Sequence, residues 1–208
     1  PDPRSRGAIG LGRSASEVVM TWVQTYTGVR FDLLDPKPGM VSLTDIAVSL
    51  SRQARYNGHT RHPYSVAQHS CLVADISEIL GKESTTRWSF GAHGLMHDAA
   101  EAYIGDIVTP FKRCWTIDAR AEIVAIEHSI HKAIAQRFGL EWEVPPLVYQ
   151  ADRIALQIEK RDIVKDFGLD WGLPTMDLLA WKDCRIRAAG PQEAYEDFLM
   201  YAYELEVK

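Results

Sequence analysis

The chain has 208 residues, 46% hydrophobic and 25% charged, which supplies apolar material for one complete core and excludes wholesale disorder. A formal net charge of −5 gives no global basic field for a nucleic-acid backbone, so a nucleic-acid partner is not expected, although a local basic pocket for a small phosphate stays open. Three widely spaced cysteines, Cys71, Cys114 and Cys184, argue against a disulfide scaffold or a thiolate zinc site; no secretory signal opens the sequence, and no apolar run approaches the ~18 residues that span a membrane, so the expectation is a soluble protein of a reducing cytoplasm.

Residues 1–25 read as a mobile N-terminal segment, rich in Pro, Gly and Arg at its start, with a short helix fitting "SASEVVMTWVQ", Ser14 to Gln24. Glycines and prolines make Tyr26 to Met40 a loop or at most a short ribbon. Helices take over at Ser42. "SLTD" has the spacing of a capping box, and Leu43, Ile46, Ala47 and Leu50 form one apolar stripe that runs up to Arg55-Tyr56. Gly58 and Pro63 break the pattern. Ser65 to Leu80 is the next helix, with Val66, His69, Val73, Ile76 and Leu80 on one face. Another is expected from Thr85 to Ile104, stopped by Gly105 in a left-handed conformation, with a loop around Pro110 after it. Ala119 to Phe138, closed by Gly139, a helix opened by Pro145-Pro146, and a last one from Pro191 to about Leu205 complete the chain. Strand signals are few and no repeat is evident. The fold class is all-α, with a single domain over residues 26–208.

Several polar residues fall where core is expected. In "GLMHDAAEAYIGD", Gly94 to Asp106, His97 and Asp98 sit among Leu95, Met96, Ala99 and Ala100, and a carboxylate there is costly to bury unpaired. His93, His97 and Glu101 are four apart and stack on one side of the expected helix; His93 is assigned to packing or to a supporting place behind the metal ligands. His69 sits within the apolar stripe of the preceding helix. Asp152 lies between Ala151 and Ala155 on a third helix, and taken alone it reads equally well as an ion-pair partner of Arg153 or Arg161. Three core-facing helices thus offer His69, His97, Asp98 and Asp152 to one point. Two imidazoles and two carboxylates suit a borderline divalent metal such as Mn, Fe, Co, Ni or Zn, whose charge makes the buried acids tolerable.

With "HDAAEAYIGDIVTPFK" following on, His69, His97-Asp98 and Asp152 closely resemble the HD-domain metal-dependent phosphohydrolases, and among them the bacterial HD 5′-deoxynucleotidases and their phage-encoded relatives. The similarity covers residues 31–163, and the run HD-x-x-E-x-x-x-G-D-x-x-x-P-x-K, His97 to Lys112, is its most specific part. The resemblance implies a helical bundle in which His69, His97, Asp98 and Asp152 bind the metal. It implies that Glu101 and Asp106 are the catalytic acids, that Arg55 and Tyr56 contact the phosphate and sugar of the nucleotide, and that Lys112 lies near the phosphate. Two departures fall at the substrate end: Gln68 stands where the bacterial nucleotidases commonly have Glu, and Asn57 to Ser65 adds His59, Arg61 and His62.

Hydrolysis of a phosphoester needs a nucleophile, charge on the phosphoryl oxygens and a proton for the leaving oxygen. A divalent metal supplies charge and lowers the pKa of water toward ~7. Glu101 is placed to orient or deprotonate that water, Asp106 to share or deliver the proton, and Arg55 and Lys112 to hold phosphate. The leading expectation is a 5′-nucleotidase acting on deoxynucleoside monophosphates. The alternative is a triphosphohydrolase taking a substrate such as dATP to deoxyadenosine and triphosphate, with His59, Arg61 and His62 suited to the longer phosphate chain. A non-catalytic nucleotide-binding module is a different class, and it predicts erosion of the metal set or the two acids, yet all six residues are present. The C-terminal aromatics Tyr195, Phe198, Tyr201 and Tyr203 are expected to be exposed and to offer a homo-oligomer contact.

Overall fold

A computed structural model describes residues 20–85, 89–172 and 178–208. It is all-α apart from one ribbon at its start. Strands β1 (Trp22–Gln24) and β2 (Arg30–Asp32) pair antiparallel with Val23 opposite Phe31. Most of the helix expected over Ser14 to Gln24 lies outside the described residues, but Trp22–Gln24 is strand, not helix, because its backbone is paired with β2. The ribbon is fastened to the helices in two places. Phe31 is fully buried and stacks on Tyr103 at 3.7 Å between ring centroids. Asp45 accepts from the Thr27 amide and hydroxyl, both at 2.7 Å.

That second contact explains a half-made cap. In α1 (Leu43–Arg52) the Ser42 hydroxyl accepts from the Asp45 amide, but the Asp45 carboxylate turns to Thr27 instead of back to Ser42. Helix α1 stops three residues before the expected Arg55, since Gln53 is extended and Ala54 bridges to Ser65. A tight 3-10 turn follows at Arg55–Gly58, with Tyr56 and Asn57 at φ of +56° and +51°. A bulky aromatic in the left-handed region is a strained conformation that its surroundings must hold.

Helix α2 (Val66–Gly81) opens with a full capping box between Ser65 and Gln68. It is the central helix. Ala67, Cys71 and Ala74 face the main core, while Val73 and Ile76 face a second cluster built with Val148, Ala151, Ile154, Ala155 and Ile158 of α7 (Pro146–Asp162). A helix that is apolar on most sides has to be covered on most sides. Helices α3 (Phe90–Met96), α7 and α8 (Pro191–Glu204) supply that cover. The long α6 (Ile117–Phe138) ends on Gly139 at φ +68° as expected, and starts two residues before the expected Ala119, on a Thr116 cap.

Four further expectations are corrected. The single helix over Thr85 to Ile104 is two, α3 and α4 (Glu101–Ile104), with a tight turn between them. The His97 ring takes the Gly94 carbonyl at 2.7 Å, and the following amides bond three residues back rather than four, Glu101 to Asp98 among them. Gly105 does stop the chain with positive φ, but at ψ 154°, outside the left-handed helical well. Thr109–Lys112 forms one helical turn, α5, with Pro110 in its first turn where it costs nothing. At the C-terminus, Phe198 is fully buried and Tyr195 and Tyr201 pack against the same core, so Tyr203 alone of the four aromatics is strongly exposed. Among the described residues no helix is long and apolar enough to cross a membrane.

One glycine sets the spacing of the site. A Cβ on Gly94 would lie 2.9 Å from the Ala74 Cα, the Val73 carbonyl and the Ser77 hydroxyl, so only glycine lets α3 approach the backbone of α2 this closely. Replacing Gly94 by Ala should destabilise the fold by about 1–3 kcal/mol through overpacking. Urea unfolding checks this, and an unchanged midpoint would mean that α3 has room to move away.

Candidate metal centre

Three helices converge on the site. His69 comes from the second turn of α2, His97 and Asp98 from the turn between α3 and α4, and Asp152 from α7. His69, His97 and Asp152 each bring one donor atom within 4.8 Å of the others, a group able to hold a metal ion. The His69 and His97 Nε2 atoms are 3.3 Å apart, and Asp152 Oδ1 is 3.3 Å from His69 Nε2. Asp98 Oδ2 lies 3.2 Å from His97 Nε2 and 3.5 Å from His69 Nε2. Bonds of about 2.1 Å to adjacent coordination positions place donors roughly 3.0–3.4 Å apart, so this spacing suits a common ion. Side-chain exposure rises from none at His69 to 24% at Asp98 and 40% at Asp152, which makes Asp152 the open end.

The ring tautomers strengthen the fit. His97 Nδ1 faces the Gly94 carbonyl at 2.7 Å, and a carbonyl can only accept, so Nδ1 carries the proton. His69 Nδ1 donates to Glu159 Oε1 at 2.6 Å. Both Nε2 lone pairs are thereby aimed at each other, an arrangement that needs a cation or a proton between them.

Glu159 is the residue that sequence reasoning missed. It is fully buried on α7, seven residues beyond Asp152 and hence on the same face two turns later. That spacing was the available signal. Oε1 accepts from His69 and from the Tyr64 hydroxyl at 3.1 Å; Oε2 accepts from the Tyr56 hydroxyl and from Arg55 Nη2 at 3.5 Å. Four donors meet a carboxylate's capacity, so its burial is tolerated. The strained Tyr56 turn is what brings that hydroxyl to Glu159.

The other expected residues sort into two groups. Arg55 lies at the centre, with Nη1 3.5 Å from Asp98 and Nη2 on Glu159, and its buried Nε has no partner among the described residues. Glu101 is buried with Oε2 unpartnered among the described residues, while Lys112 on α5 is near enough to influence both Glu101 and Asp106. His59, Arg61 and His62 are exposed; Arg61 ties the loop to the end of α7 through its backbone amide, at 2.7 Å from the Ile163 carbonyl. Asp152 pairs with His69, whereas Arg161 is taken up by Asp162 and the Trp181 and Cys184 carbonyls. His93 stays at a distance, buried between the Ser89 carbonyl and Glu141. Gln68 uses both ends of its amide: Oε1 completes the helix cap and Nε2 donates to the Arg187 carbonyl at 3.2 Å, a bond that a glutamate cannot make.

Charge organises the proton affinities. Burial and Arg55 disfavour a charged His69, but Glu159 and Asp152 outweigh them and lift its pKa to about 9. Burial also opposes ionisation of Glu159, yet Arg55 and His69 bring it down to about 2. Asp98 is held well below the usual carboxylate range by His97, His69 and Arg55 against its burial. Glu101 moves the other way. Burial, Asp98 and Asp106 push it up to about 9 against Arg55 and Lys112, and Asp106 is raised by burial and Asp98.

The fold and the donor set define a helical protein with a candidate metal centre among three helices. The chain is 33% identical over 184 residues to the uncharacterized protein YfdR of Escherichia coli K12, an alignment spanning 86% of this chain and 93% of YfdR. An uncharacterized protein of Rhodobacter capsulatus is 34% identical over 142 residues, 67% of this chain and 69% of that protein. The chain belongs to the family of YfdR. No protein-family model matches it.

A pH dependence follows for the metal-free protein. His69 binds its proton more tightly when folded, so its contribution to stability is complete below the ordinary value of 6.5 and is lost as the pH rises through about 9. Glu101, raised from 4.5 to about 9, acts in the same direction across that window. The thermal midpoint of the metal-free chain should fall between pH 6.5 and 9, and Mn²⁺ or Co²⁺ should flatten the decline while displacing protons at neutral pH. Scanning calorimetry across that range checks it, and a rising midpoint would contradict the assignment.

Proposed function

We propose that the protein is a metal-dependent nucleotide phosphohydrolase of the HD-domain class, most simply a 5′-nucleotidase that releases orthophosphate from deoxynucleoside monophosphates. The observation carrying this reading is the convergence of two preset imidazole lone pairs and two carboxylates beside a second pair of acids and a buried guanidinium. His69, His97, Asp98 and Asp152 would hold a divalent ion, which supplies Lewis-acid charge to a phosphoryl oxygen and acidifies water. Arg55 acts on Asp98, Glu101, Asp106 and Glu159, and Lys112 on Glu101 and Asp106, so these acids offset much of the positive charge at the site and a bound divalent ion would add the charge a phosphate needs.

Within this arrangement the protein's own groups divide the work. Arg55 is positioned by Glu159 and Asp98, and its unpartnered Nε–H is a donor for an anionic oxygen. Glu101 is the group of high proton affinity, and in ionised form it is a strong base for the attacking water; its unpartnered Oε2 is the atom that takes the proton. Cationic charge at the cluster counteracts the repulsion from Asp98 and favours that ionised form. Asp106, beyond Gly105, delivers a proton to the leaving oxygen. Lys112 adds a point charge for the phosphate.

Product analysis with Mn²⁺ or Co²⁺ and a panel of deoxynucleoside mono- and triphosphates is the test. Nucleoside and orthophosphate are expected from the monophosphates, and Glu101→Gln should lower kcat by about 10²–10⁴ with metal affinity retained. Nucleoside plus tripolyphosphate would instead assign a triphosphohydrolase. No turnover with any metal would overturn the enzymatic reading in favour of a nucleotide-binding module.

A further inference from the structure

The two acids sit at the ends of a short stretch that a neighbouring helix holds by both ends. Gln53, the first residue after α1, donates through Nε2 to the Glu101 carbonyl at 2.9 Å and accepts through Oε1 from the Asp106 amide at 2.9 Å. Ser49, one turn earlier, receives a second bond from Gln53 Nε2 at 2.9 Å and donates to the Ala102 carbonyl at 2.8 Å. The Asp106 amide needs such a partner. Gly105 ends α4 at φ +84°, which turns the next residue out of the helix and leaves its N–H without an intrahelical acceptor.

We propose that Gln53 is a positioning residue that sets the separation and aim of Glu101 and Asp106 over the metal-ligand cluster. It touches neither the cluster nor a reacting atom. Its amide reads the backbone at both acids, and only a group that donates at one end and accepts at the other can close this link. The Gln53 backbone carbonyl separately accepts the Val66 amide at the start of α2, a bond that survives any side-chain change. The link between α1 and the helix carrying His69 is therefore independent of the clamp. The catalytic meaning of the clamp rests on the phosphohydrolase reading; the clamp itself does not.

Gln53→Leu removes all three side-chain bonds, and Gln53→Glu keeps an acceptor for Asp106 while losing the donor to Glu101. Gln53 and Ser49 border a crevice of about 510 Å³ beside the hairpin, so neither variant has to be forced into closed core. In the full chain, amide exchange at Asp106 should accelerate about tenfold or more in Gln53→Leu and less in Gln53→Glu. With a nucleotide substrate, kcat should fall by about 10–100-fold in Gln53→Leu while KM and the Kd for Mn²⁺ stay within about threefold, as expected when reacting groups are misplaced by a fraction of an ångström to an ångström. Unchanged exchange at Asp106 would overturn the proposal, as would loss of Mn²⁺ affinity in step with kcat, which marks a general structural role. Should the unaltered protein hydrolyse no nucleotide, the nucleotide reading fails alone. Accelerated exchange at Asp106 with unchanged Mn²⁺ affinity would still uphold the clamp.

Discussion

The His69 and His97 Nε2 atoms face each other at 3.3 Å with both lone pairs pointing inward, and much of the surrounding structure keeps them in that opposition. Each ring is locked from behind, His97 by a backbone carbonyl of its own helix and His69 by a carboxylate that nothing else exposes to water. Without a cation the pair is electrostatically unfavourable unless one ring takes a proton. The upward shift of His69 to about 9 is that alternative expressed as a proton affinity. A divalent ion would therefore compete with a proton for one place, and the same carboxylates, Asp98 and Asp152, would favour either occupant.

Other features follow from holding this pair. Helix α3 comes close enough to α2 only because Gly94 has no side chain. Glu159 orients His69 only because Tyr56, Tyr64 and Arg55 fill its remaining acceptor positions, and Tyr56 reaches it only from a left-handed backbone conformation that aromatic residues rarely adopt. The ribbon contributes from the other side. Phe31 stacks on Tyr103 within α4, and Gln53 bonds the Glu101 carbonyl and the Asp106 amide on either side of it, so the acids are tied to α1 and the ribbon, while His69 and Asp152 come from α2 and α7 and His97 and Asp98 from the turn that leads into α4. Placement of the acids relative to His69 thus depends on the packing of α4 against α1 and of α1 against α2.

The candidate metal donors could be read from the sequence because polar residues at apolar helical positions contradict the pattern around them; His69 amid Val66, Val73 and Ile76 is the clearest case. Helices α2 and α7, which carry His69 and Asp152, were legible from their apolar stripes and the opening Pro145-Pro146, whereas the segment that carries His97-Asp98 reads as one helix and is two. What was missed carried a weak signal or none: Glu159 shares the face of Asp152 two turns on, and the other features have no periodic signature. Glu159 looks like an ordinary acid in "QIEKRD", and its role exists only when Arg55, Tyr56 and Tyr64, about a hundred residues earlier, fold against it. Gln53 falls just past a helix end, where a polar residue is unremarkable. The break at His97 depends on a ring capturing a carbonyl, and the burial of Phe198 on α8 packing against α1 and α2; neither is visible in spacing alone.

The central claim is that these two imidazoles and two carboxylates share one divalent ion. Anomalous diffraction from crystals of the Mn²⁺- or Co²⁺-loaded protein tests it most directly. A single strong peak is expected, bonded at about 2.0–2.2 Å to Nε2 of His69 and His97 and to oxygens of Asp98 and Asp152. A peak elsewhere on the surface, with the two Nε2 atoms still facing each other and no ion between them, would contradict it.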